Sequence, residues 1–95
     1  MPKSPLTKLP NIWPAIADRL IKIWITTPEE FFIKDPYEVF YELKRKVDPT
    51  LCRCALASLV GAKEGVKWNT LHKSAVQEFE KRYPQEKWNT AWKGC

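Results

Sequence analysis

Three times beyond residue 25 of this 95-residue chain a polar residue suited to capping a helix is followed by proline. The segments are Thr27-Pro28-Glu29-Glu30, Asp35-Pro36-Tyr37-Glu38 and Asp48-Pro49-Thr50. A capping side chain accepts a hydrogen bond from an orphan N–H of the first turn, and proline at the first helical position sacrifices nothing. Acids in that turn complement the positive end of the dipole. Each proline also disfavours helix at the residue before it, which sharpens the boundary. No stretch alternates apolar and polar residues over strand length, so no sheet is expected. The chain should fold as an all-α, small single-domain bundle of five or six short helices. The spacing predicts helices over 5–8, 14–23, 28–33, 36–46, 49–63 and 70–82.

The apolar pattern assigns faces to these helices. In 36–46, Val39, Phe40 and Leu43 form a stripe toward the core. Helix 49–63 carries Leu51, Ala55, Leu59 and Ala62, with Cys54, Ala57 and Gly61 nearby, and should be the most buried. Its small residues suit close approach of another helix, and Gly65 is placed to end it. Helix 70–82 turns Leu71, Ala75, Val76 and Phe79 inward, and Pro84 stops it. The domain is expected to span 1–84. Residues 85–95 read as a tail, either docked through Trp88 and Trp92 or mobile. Lys67-Trp68-Asn69-Thr70 recurs as Lys87-Trp88-Asn89-Thr90, which suggests a repeated helix entry.

Charge is arranged in blocks within a net +5. Residues 1–25 set Lys3, Lys8, Arg19 and Lys22 against Asp18; residues 28–42 are acidic; residues 44–67 are basic again. This balance permits a polyanionic partner without requiring one. Lys44-Arg45-Lys46 falls at a helix C-terminus, where cations complement the dipole, and offers a second phosphate contact as the alternative. No apolar run is long enough to span a bilayer and no signal-peptide core opens the chain, so a cytoplasmic protein without a membrane partner is expected. Three cysteines, an odd number, favour reduced thiols over a disulfide framework.

Leu9-Pro10-Asn11-Ile12-Trp13-Pro14, followed by Ala15-Ile16-Ala17-Asp18-Arg19-Leu20-Ile21, resembles the turn and second helix of a helix-hairpin-helix motif. That motif points backbone N–H groups at a nucleic-acid phosphate from a turn of the form Leu-Pro-Gly-Ile-Gly. Here Asn11 and Trp13 stand at the glycine positions. Asn11 tolerates a left-handed backbone, whereas the bulk of Trp13 should strain the turn or block the phosphate. Candidate nucleic-acid contacts are Lys8, Asn11, Ile12, Trp13, Ala15, Arg19 and Lys22.

The likeness extends from Leu6 to about Tyr83 through Leu6-Thr7-Lys8-Leu9-Pro10-Asn11-Ile12, Ile25-Thr26-Thr27-Pro28-Glu29-Glu30, Asp35-Pro36-Tyr37-Glu38 and Asp48-Pro49-Thr50-Leu51-Cys52. On these motifs the chain resembles the C-terminal domain of TfoX-type competence regulators. It is still more similar to small bacterial pathogenicity-locus proteins, often labelled mitomycin-resistance proteins. The resemblance implies a helix-hairpin-helix core and a DNA- or protein-binding role. The chain departs from its relatives at Trp13 and again at Trp24, where they carry glycine.

Trp13 and Trp24 are eleven residues apart, about three helical turns, which would place them on one face with Ile16 and Leu20 between them. That face could fill a local core, bind a protein partner or a second copy of the chain, or stack on exposed bases. The leading expectation is therefore non-sequence-specific DNA binding through the hairpin. The alternative is a protein-interaction or self-association module that uses Trp13, Ile16, Leu20 and Trp24.

No enzyme is expected. The chain has a single histidine, His72, and lacks a nucleophile elbow, a Gly-rich phosphate loop and a paired-carboxylate arrangement. No cofactor is implied. Cys52-Arg53-Cys54 is not the C-x-x-C of a redox pair, and with His72 and Cys95 it fits no zinc spacing.

Overall fold

The computed structural model describes residues 5–86. Within them a 3-10 turn, Pro5–Lys8, precedes five α-helices: α1 (Pro14–Ile21), α2 (Pro28–Phe32), α3 (Pro36–Lys46), α4 (Arg53–Glu64) and α5 (Trp68–Arg82). No strand occurs among the described residues.

Two of the three proline-capped entries form as expected. At α2 the Thr27 hydroxyl accepts from the Glu30 amide at 3.2 Å, while the Glu30 carboxylate accepts from the Thr26 amide and hydroxyl. This reciprocal arrangement is a capping box displaced by one residue. At α3 Asp35 accepts from the Tyr37 amide at 2.8 Å. The third entry is a correction. Asp48-Pro49 opens a turn rather than a helix, and α4 begins at Arg53 with Cys52 as its N-cap. The Asp48 carboxylate accepts from Thr50 through one oxygen and from Arg19 of α1 through the other, at 3.0 Å and 2.8 Å. The bond to the Thr50 amide is the same cap bond that Asp35 makes to Tyr37, so the cap forms at Asp48 but no helix propagates from it. Helix α5 begins two residues before the expected position, and α1 ends two residues before its expected end.

The core lies along α4, where every residue from Ala55 to Ala62 is buried. Helix α3 contributes Val39, Phe40 and Leu43, α5 contributes Ala75 and Phe79, and α1 contributes Ile16, Ala17 and Leu20. Phe40 meets Phe79 edge-to-face at 5.2 Å between ring centres. Gly65, at φ 76°, ends α4 as expected. Tyr41 of α3 stacks on Tyr83 just beyond α5, at 4.3 Å. Lys44, buried within α3, lies 3.6 Å from the Glu86 carboxylate, with Arg45 at 3.8 Å. Glu86 thus lies against α3, while the expected docking of Trp88 and Trp92 concerns residues outside those described.

Two ion pairs fasten helix ends together. Arg82 at the end of α5 reaches Asp35 at the start of α3, 2.7 Å away, and Arg19 reaches Asp48. Burial pushes both carboxyls up. Hydrogen bonds from Arg82 and the Tyr37 amide on Asp35, and from Thr50 and Arg19 on Asp48, outweigh it and hold both below the ordinary range. A carboxyl with a lower pKa in the folded chain stabilises the fold above its unfolded pKa. That contribution is lost as pH falls through the folded value. The melting temperature should therefore be level from neutral pH down to about 5 and fall below about pH 4. Asp48→Asn should lower it at neutral pH and make the acid-side fall shallower. A melting temperature that holds or rises below pH 4 contradicts this assignment.

Candidate nucleic-acid interface

The hairpin is built on two buried anchors, Leu6 and Ile12, which face the core on either side of the turn. The Leu9 amide donates to the Leu6 carbonyl at 3.0 Å, closing the 3-10 turn before the chain reverses at Pro10 and Asn11. Asn11 adopts φ 66°, the left-handed backbone expected of a residue at the first glycine position. Its amide side chain spans the molecule. Nδ2 donates to the Val66 carbonyl at 2.6 Å, and Oδ1 accepts from the Trp68 amide at 3.2 Å. Asn11 thus caps the first turn of α5 from the hairpin while satisfying a carbonyl in the α4–α5 loop. The close approach requires Gly61, because a Cβ there would lie 2.6 Å from Asn11 Nδ2 and 2.7 Å from the Val66 oxygen.

Trp13 does not strain the turn. It is the N-cap of α1 at φ −82° and ψ 163°, an ordinary extended backbone open to any residue. Neither of the amides of Trp13 and Ala15 finds a backbone partner among the described residues, and Pro14 has none to offer. Nor does the Trp13 side chain cap the helix. Half-exposed, Trp13 instead walls an apolar groove of about 250 Å³ with Ala15, Ile16 and Arg19 on one side and Leu51, Cys52, Cys54 and Ala55 on the other. The second wall is the start of α4, whose N-cap Cys52 likewise makes no side-chain cap hydrogen bond. Helices α2 and α3 are capped by their own side chains, and α5 by Asn11. The two helices without a side-chain cap therefore open onto the same groove.

The expected site residues separate in space. Lys8 and Ala15 are exposed at the hairpin, and Ile12 is buried beneath it with its amide 3.4 Å from the Leu9 carbonyl. Asn11 keeps its backbone in the turn but commits its side chain to Val66 and Trp68. Arg19 is committed as well: Nε and Nη2 donate to Asp48, and Nη1 donates to the Ala15 carbonyl at 2.8 Å. Lys22 lies at the far end of α1, exposed. A cation not expected from the pattern joins the hairpin. Lys67 precedes the Trp68 that Asn11 holds, and it is exposed. Only the three-dimensional tie to Asn11 reveals it.

Trp13, Ile16, Leu20 and Trp24 do not form one face. Ile16 and Leu20 are buried in the core, Trp13 caps one end of α1, and Trp24 lies beyond the other. Helix α1 ends at Ile21, so the eleven-residue spacing does not correspond to helical rotation. The chain leaves α1 through a Schellman turn: the Trp24 amide donates to Ile21 and the Ile25 amide to Leu20, both at 3.0 Å. Trp24 occupies the left-handed position of that turn, at φ 69°. This backbone costs a bulky residue roughly 1–2 kcal/mol.

The basic run 44–46 is engaged in pairs, Lys44 and Arg45 with Glu86 and Lys46 with Glu42. Lys63 of α4 donates to the carbonyls of Phe32, the last residue of α2, and of Lys34 just beyond it. His72 packs edge-on against Trp68. Cys52 is disulfide-bonded, which corrects the expectation of reduced thiols throughout. The free Cys54 thiol is pushed up by burial, which leaves it protonated and a poor nucleophile at neutral pH. Among the described residues no cluster of His, Cys, Asp or Glu could hold a metal ion, and no helix is long and apolar enough to cross a membrane.

The fold is that of a small all-helical domain whose first turn, clamped onto the α4–α5 loop, leads into a short helix without a side-chain cap. Residues 2–83 match the TfoX C-terminal domain, and the chain belongs to that family. It is similar in structure to an uncharacterized protein from Listeria monocytogenes solved in a triclinic crystal form, with a TM-score of 0.70 and 27% identity. The match covers 81% of this chain and 91% of that one. No curated protein matches the chain.

Proposed function

We propose that the chain binds the phosphate backbone of nucleic acid, without sequence preference, at the groove where the N-termini of α1 and α4 meet. The observation that carries this reading is the distribution of caps. Helices α2 and α3 are capped by the side chains of Thr27 and Asp35, and α5 receives Asn11, whereas the N-cap residues of α1 and α4, Trp13 and Cys52, make no side-chain cap hydrogen bond and both line the groove. Two positive dipole ends brought to one groove suit an anion. Exposed Lys8 and Lys67 flank the hairpin and supply point charges for neighbouring phosphates. Membership of a family of competence-regulator domains is consistent with a role in handling DNA. The role proposed is binding, not catalysis.

Affinity for random duplex DNA should fall steeply as salt rises, because bound phosphates release counterions. The double variant Lys8→Ala, Lys67→Ala should bind every sequence more weakly by a similar factor. It should also reduce the slope of log affinity against log salt by roughly one per lysine. Absence of binding at about 50 mM salt, or affinity indifferent to salt, sinks the proposal. One observation favours a second reading. The groove walls are apolar and Trp13 stands half-exposed on them, as an anchor for a protein segment would.

A further inference from the structure

Two features of Trp24 work against the fold. Its backbone is left-handed at φ 69°, where glycine is the low-cost residue, and its side chain is 85% exposed. The turn needs neither. Its hydrogen bonds come from backbone groups, and the apolar contact that usually accompanies such a turn is supplied by Leu20 and Ile25, both fully buried. Nothing in the turn calls for the indole.

The surroundings indicate its chemistry. Trp24 borders a shallow depression of about 320 Å³ between the ends of α1 and α3, together with Lys22, Ile23, Glu42, Lys46 and Val47. Ile23 is buried and Val47 half-buried, so part of the lining is apolar. Lys22 has no ion-pair partner among the described residues, and Lys46 makes an exposed pair with Glu42 at 3.2 Å, the kind of contact that a stronger anion displaces readily. An exposed indole face with ammonium groups beside it stacks a base and holds the phosphate attached to it.

We propose that Trp24, with Lys22 and Lys46, is a stacking platform for an unpaired base of single-stranded nucleic acid. The proposal rests on the reading of this chain as a nucleic-acid binder and adds the substrate class. A base inside a duplex has both faces covered by its neighbours, so the platform selects strands with an unpaired segment. Helix α1, eight residues and thus about 12 Å long, separates the platform from the groove, so one strand can lie along the helix and engage both.

The test compares fluorescence anisotropy of a labelled oligothymidylate and a random duplex, each about 15 nucleotides long, at low salt. Trp24→Gly should weaken the oligothymidylate about tenfold and the duplex less than about twofold, while Trp24→Phe keeps most of the single-strand affinity. The glycine variant should melt no lower than the parent, because glycine suits the turn. Equal losses on both probes overturn the platform. If the duplex binds with the expected salt dependence but Trp24→Gly leaves the single strand unaffected, the platform falls and the groove reading stands. If the parent binds neither probe, both fall. If Trp24→Gly leaves both affinities unchanged but dissolves a dimer in sedimentation, the indole serves a second copy of the chain and the proposal is overturned.

Discussion

Asn11→Ala should destabilise the chain by about 2–3 kcal/mol, the sum of two separable losses. The first is conformational, since alanine at φ 66° bears the cost of a Cβ in the left-handed region, roughly 1 kcal/mol or more. The second is the bridge. Without the amide side chain, the Val66 carbonyl loses its donor and the Trp68 amide loses its acceptor at the start of α5, together about 1 kcal/mol or more. Asn11→Gly removes only the bridge, because glycine adopts the turn freely, and should cost about half as much. Thermal unfolding ranks the three chains asparagine, glycine, alanine. The alanine variant should melt on the order of 10 °C or more below the parent, by the usual scaling for a domain of this size. If glycine proved as harmful as alanine, backbone conformation would contribute nothing. If glycine matched the parent, the bridge would contribute nothing.

Asn11 also shows where sequence reading of the candidate site succeeds and where it stops. A turn that demands a left-handed residue after Leu9-Pro10 is a local requirement, and Asn11 meets it locally. The reach of its side chain to Val66 and Trp68 crosses 55 and 57 positions, and nothing near Asn11 in the chain announces it. The caps show a second limit. Thr27 and Asp35 hydrogen-bond within their own first turns, so their helices are legible from a few residues. Asp48 makes the same local bond, to the Thr50 amide, and like Asp35 it also pairs with a distant arginine, yet the helix starts four residues beyond Pro49, so a cap and a proline do not by themselves locate a helix start.

The eleven-residue spacing of Trp13 and Trp24 invokes a helical period that holds only while the helix lasts. The backbone of Trp13 proves ordinary, so tryptophan at the second glycine position costs the turn nothing in conformation. The strain lies at Trp24, three residues past the end of α1, where only the dihedral angle reveals it. The buried stripe of α3 and the central place of α4 were legible because burial on a helix follows its period. The convergence of α1 and α4 on one groove was not, since their starts lie about 40 positions apart and meet only through packing.

Gly61→Ala should destabilise the chain by about 2 kcal/mol, although alanine is the better helix former by about 1 kcal/mol. The sign is decided by space. A Cβ at position 61 would lie 2.6 Å from Asn11 Nδ2 and 2.7 Å from the Val66 oxygen, distances at which something must move. The oxygen belongs to backbone fastened by the Val66 amide to the Gly61 carbonyl at 3.0 Å, and the Asn11 amide is short and held at both ends. Neither can yield without opening the clamp. The effect must therefore depend on Asn11. In an Asn11→Gly background one of the two obstructions is gone and the clamp is already open, so Gly61→Ala should cost less than about 1 kcal/mol. Chemical denaturation of the four chains measures this coupling directly. Additive costs would mean that the methyl at 61 and the amide at 11 never compete for the same space. A neutral Gly61→Ala would mean that the hairpin does not need to lie this close to the α4–α5 loop. The predicted non-additivity ties the hairpin to the second half of the fold, because through it a change at the end of α4 reaches the turn that leads into α1.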